Sequence, residues 1–152
     1  MLPSSFFRPQ THIISNALTD IAEVATIYAL GHHAISFSNP SPISALIKNH
    51  DSSNQTFNIN VTITDENGTQ AASFSSSETV NAESEALVSF SNWVPSQAGI
   101  YTITVDIPTQ TGEGVLVNNS NTYTQVVGPA LLGYTNDLSS FTSAGFDTGS
   151  GL

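Results

Sequence analysis

The residues that could do chemistry come first. Asp147 heads "DTGS", inside the run "FDTGSG" at residues 146–151. Aspartic proteases set such a motif on a strand and loop, where two carboxylates approach closely enough to share one proton. That reaction needs a second aspartate of the same kind, and the sequence holds no second motif. Asp147 sits instead in a Gly- and Ser-rich stretch, which reads as a turn or linker. The four histidines, His12, His32, His33 and His50, suggest zinc. Adjacent residues on an extended chain point to opposite faces, so His32 and His33 chelate poorly, and there is no cysteine to complete a site. They read as surface side chains. Nor does any G-x-S-x-G elbow set up a serine nucleophile. No catalytic residue and no enzyme activity is expected.

Asp106, Glu113, Asn118 and Asn119 flank one predicted hairpin and could converge on a hard cation. Calcium takes about six to eight oxygens, so two carboxylates make a sparse set. Calcium at these four residues is the sole cofactor candidate. Asn54, Asn60, Asn67 and Asn118 each open an N-x-[ST] sequon, which an Asn- and Thr-rich β surface produces by composition. For ligand recognition the candidates are Trp93, Tyr123 and the Asp106–Asn119 hairpin at one end of the fold. A tryptophan beside a strand end more often covers the rim of the core, and Trp93 is assigned that structural role.

The totals fit such a scaffold. The chain has 152 residues, 39% of them apolar but only 9% charged. Ser, Thr and Asn carry the polarity instead, which suits pleated surfaces and turns. Two basic residues, Arg8 and Lys48, face twelve acidic ones, a formal charge of −10. That balance repels phosphate backbones, so neither nucleic acid nor an anionic membrane is an expected partner. No apolar run is long enough to span a bilayer, and "MLPSSFFRPQ" lacks the apolar core of a signal peptide. The expectation is an excised fragment, or an export signal elsewhere.

Those side chains must be positioned by strands. "QTFNINVTIT" alternates without a fault, with Phe57, Ile59, Val61 and Ile63 on one face, and "DENG" ends it in a turn. "ISALIKN" turns Ile43, Ala45 and Ile47 inward; "EALVSFSNW" does so with Ala86, Val88 and Phe90 until Pro95. "TQAASFSSSETV" reads as a bent edge strand. "VLVNNSNTYTQVV" reads as the last strand, bulged at Asn118–Asn119. "TDIAEVATIYALG" alternates badly and is assigned to a first edge strand. Turn signals recur roughly every 8 to 14 residues, the spacing of a sandwich. The predicted fold is an all-β, immunoglobulin-like antiparallel sandwich of about seven strands.

Tyr101 supports that prediction. In "AGIYTITVDIP" it stands two residues after Gly99 at the head of a strand, where Tyr101, Ile103, Val105 and Ile107 face inward. Immunoglobulin-like sandwiches place a tyrosine here and fold its hydroxyl back onto the preceding corner.

These residues together resemble the CARDB group (cell-adhesion-related domains found in bacteria). The carriers are an apolar-x-apolar-x-Asn strand end at Ile47–Asn49, the W-x-P element at Trp93–Pro95, the Gly-x-Tyr strand start at Gly99–Tyr101, and Asn118–Asn119 before the last strand. The resemblance covers residues 20–127. It departs from the group at Asn81–Ala82, where Ala-Gly is usual, and in a thinned acidic loop. It implies a non-catalytic structural or spacer module of a larger secreted or cell-surface bacterial protein, with a role in adhesion. Its partners would be neighbouring domains of the same chain and an extracellular glycan or protein. Residues 1–19 would then be a flank or the end of a preceding domain. Residues 128–152 would be a linker and the truncated start of a following extracellular domain.

Overall fold

A computed structural model of the protein describes residues 18–31, 35–36 and 39–128. Residues 1–17 and 129–152 lie outside the described part. Two sheets face each other. The smaller has the order β1 (Ala22–Tyr28), β3 (Ser44–Asn49), β6 (Ser84–Ser89). The larger runs β2 (Ile35–Ser36), β8 (Ser120–Gly128), β7 (Gly99–Asp106), β4 (Gln55–Asp65), β5 (Gln70–Val80). Seven strands pair antiparallel; the two-residue β2 is an eighth and runs parallel to β8. Among the described residues there is no helix. The fold is an all-β, immunoglobulin-like sandwich.

Alternation builds the core. Phe57, Ile59, Val61 and Ile63 of β4 are fully buried, and Ile103 and Val105 of β7 lie beside them in register. Ile43, Ala45, Ile47 and Val88 close the layer from the smaller sheet. The opposite face of the larger sheet is a hydroxyl surface, on which Thr62, Thr104 and Thr122 form one row across three strands. Apart from Asp106 beside Asn60, its polarity is uncharged and keeps the sheet wetted at little electrostatic cost. Asp65 ends β4 by accepting from the backbone N–H of Asn67 (2.9 Å) and Thr69 (2.8 Å), and Gly68 supplies the positive φ of 78° that the turn needs.

Three strands differ from the sequence reading, one by an internal bulge and two at a boundary. β1 is an edge strand, but its register shifts between Val24 and Thr26. The bulge lets Ala22, Val24 and Ile27 all face the core, which explains the broken alternation. The strand before Trp93 stops at Ser89, well before Pro95. The last strand starts at Ser120 rather than at Val115, and Val117 is 88% exposed. Contacts from Glu113 and Gly114 to the start of β1 hold the intervening segment off the ladder.

The chain crosses the sandwich from end to end. Ala22 pairs with Asn49, whose side chain reaches Val80, the partner of Gln55 at the start of β4. This is the entry end. β4 finishes at Asp65, opposite Tyr101; Gly99 pairs with Val127 of β8 at the same end, where the described chain leaves.

Candidate functional site

At the exit end the Tyr101 hydroxyl donates to the Gln97 carbonyl at 3.1 Å, four residues back. Burial pushes that hydroxyl above its ordinary range, and the nearby Asp65 and Glu66 carboxylates push the same way, so it remains a donor. The Tyr101 ring packs edge-on against Trp93, with centroids 4.7 Å apart. Trp93 is only 4% exposed. Its backbone exchanges two hydrogen bonds with Ser41 (2.7 and 3.0 Å), so the indole is anchored on the smaller sheet and packs on the larger. Trp93 therefore offers no stacking platform to a sugar, and Tyr123 is half-buried against the core. Tyr101→Phe should cost about 1 kcal/mol, the net worth of one such bond, read as a lower midpoint in urea with an unchanged slope.

The entry end carries two polar nodes. Asn49 is 2% exposed, yet its Nδ2 reaches three carbonyls, those of Ser53 (2.8 Å), Val80 (3.1 Å) and Asn81 (3.0 Å). Its Oδ1 accepts from the Asp51 N–H at 3.0 Å. One side chain thus ties the loop after β3 to the end of β5. Sequence reasoning missed this role, although the signal was present: Asn49 has the same parity as the inward-facing Ile43, Ala45 and Ile47. Gln125, fully buried, is a similar case. Its Oε1 accepts from Gly31 N–H at 2.7 Å.

Glu113 is the second node. Oε1 accepts from Ala22 N–H (2.8 Å) and Ile21 N–H (3.3 Å); Oε2 accepts from Gln110 N–H (2.9 Å) and Asn119 Nδ2 (2.7 Å). Burial acts to raise its pKa, but the Gln110 and Ala22 N–H groups, with Asn119 and Ile21, outweigh burial and hold it below the usual carboxylate range. A depressed folded-state value stabilises the fold at neutral pH. That contribution is complete above the unfolded value of about 4.3 and disappears as pH falls through the lower folded value. Glu113→Ala should lower stability at pH 7 by about 3 kcal/mol. As pH falls through that lower folded value, the gap between variant and parent in urea midpoint should narrow.

Of the four calcium candidates, the structure brings Glu113 and Asn119 together as acceptor and donor. Asn118 Nδ2 turns to both Asp20 oxygens (3.1 and 3.0 Å), and Asp106 accepts from Asn60 at 3.2 Å. His50 Nε2 lies 2.7 Å from Glu23 and 3.8 Å from Asp20. Among the described residues no group of three His, Cys, Asp or Glu side chains is placed to hold a metal. His12, His32, His33 and Asp147 lie outside the described residues.

Comparison with known proteins supports the fold. No protein-family model matches the chain, and no curated protein matches it. The solved structures do. A CARDB domain from Pyrococcus furiosus, crystallised in complex with di-metal ions, aligns over 70% of this chain and 90% of its own, with 21% identity and a TM-score of 0.54. A solution structure of a CARDB domain from the same organism aligns over 72% and 97%, with 20% identity and a TM-score of 0.52. A domain of a protein assigned to the cell surface of Methanosarcina acetivorans aligns over 73% and 94%, with 18% identity and a TM-score of 0.51. The sandwich has the CARDB-type fold.

Proposed function

We propose that the chain is a structural spacer, a CARDB-type immunoglobulin-like module of a larger secreted or cell-surface protein of bacterial kind. One observation carries this: the described chain enters at one end of the sandwich and leaves at the other, so the module sets the distance between whatever flanks it. Neighbouring domains of the same chain are the first partners. Location at the surface follows the Methanosarcina neighbour. No helix of the described residues is long and apolar enough to cross a membrane. An adhesion role would be indirect, by presenting another domain.

Two copies joined in series should scatter X-rays as a rod nearly twice the length of one. A compact side-by-side pair would overturn the spacer reading, and so would turnover in a broad screen of ester, peptide and glycoside substrates. Millimolar calcium should leave the melting temperature unchanged, because both Glu113 oxygens already accept two N–H groups each. A rise would return Asp106, Glu113, Asn118 and Asn119 to the list of ligands.

A further inference from the structure

Two strands that carry the chain in and out, β1 and β8, belong to different sheets, so no sheet ladder joins them. Both nevertheless run from the entry end to the exit end. The entry to β1 and the segment that leads into β8, residues 113–121, are tied by bonds of a different kind. Thr19 C=O accepts from Gly114 N–H at 2.7 Å, and Val24 N–H donates to Asn118 C=O at 2.8 Å. The Glu113 carboxylate accepts from Ala22 N–H, Asn118 Nδ2 donates to Asp20, and Asn121 Nδ2 donates to Val24 C=O at 3.2 Å. Most of these links depend on a particular side chain, and each joins residues more than 90 positions apart in sequence.

We infer that this seam is a mechanical shear clamp. Tension between the two chain ends would draw the start of β1 and the end of β8 in opposite directions along parallel strands. Every cross-link is then strained together. Were entry and exit at one end, the same bonds would be loaded one at a time and would peel. Bonds sharing a load must break in concert, so the seam raises the barrier to forced unfolding in addition to its share of equilibrium stability. The polar residues Glu113, Asn118 and Asn121 find their use here. The inference rests on the spacer reading and adds to it that the module bears force.

The test is single-molecule stretching of the full chain, held by its two ends between marker domains. The double variant Asn118→Ala with Asn121→Ala should lower the unfolding force by about a third or more. Asn49→Ala lies off the seam and is expected to cost at least as much thermal stability, yet should lower the force less than half as far. A loss of force that tracks melting temperature in both variants, or no loss in the double variant, would overturn the clamp. The spacer reading is scored separately: the end-to-end distance of the relaxed module would still hold if only the clamp failed.

Discussion

Asn49→Ala is expected to destabilise the domain by about 3 kcal/mol, because three carbonyls and one N–H lose their partner at a site the side chain fills almost without water. Asn49→Asp should cost more, about 4 kcal/mol or above at pH 7. The new carboxylate would face the Ser53, Val80 and Asn81 carbonyls, which offer it no proton. Its folded-state pKa must then lie above the unfolded value of about 3.9, so the penalty is smallest below that pH and grows as pH rises. Urea melts of Asn49→Asp at pH 4 and pH 7 should therefore separate. Equal midpoints would mean that water reaches the side chain.

Trp93→Ala carries the second large effect. The indole is buried on the smaller sheet and meets Tyr101 on the larger, so truncation opens a cavity at the inter-sheet rim and removes an edge-to-face pair. A loss of about 3–5 kcal/mol is expected. For a domain of this size that lowers the melting temperature by roughly 15 °C. Trp93→Phe keeps a ring in place and should recover about half of the loss. If both variants melt like the parent, the indole is not packed against Tyr101.

How much of this was legible depends on the residue. β4 and β7 were readable because their two faces meet different media, core on one side and water on the other, and period-two alternation follows from that alone. Tyr101 was readable because a tyrosine behind Gly99 needs a partner for its hydroxyl, and the corner supplies one four residues back. β1 was harder. A bulge changes parity in mid-strand, and the resulting sequence fits neither a strand nor a helix face. The start of β8 was misplaced because "VLVNN" has strand composition, while its position is fixed by Glu113 and Gly114 contacting Thr19 to Ala22, more than 90 residues earlier.

The candidate site was legible as residues and not as a role. Glu113, Asn118 and Asn119 stand together in the sequence like cation ligands, since oxygen-bearing side chains near a turn serve calcium and capping equally well. Only the fold shows that backbone N–H groups occupy the Glu113 carboxylate. Asn49 and Gln125 carried a fainter signal: each is a polar residue at a core parity, which requires an internal partner when the strand is buried.

Everything turns on whether the module holds its two ends apart as one stiff body. The absence of native cysteine allows spin labels to be placed at Leu18→Cys and Ile100→Cys, exposed positions at the entry and exit ends. Electron–electron resonance should give a single narrow distance of roughly 30 Å, the rise of about nine extended residues. A broad distribution, or one centred below about 20 Å, would contradict the account.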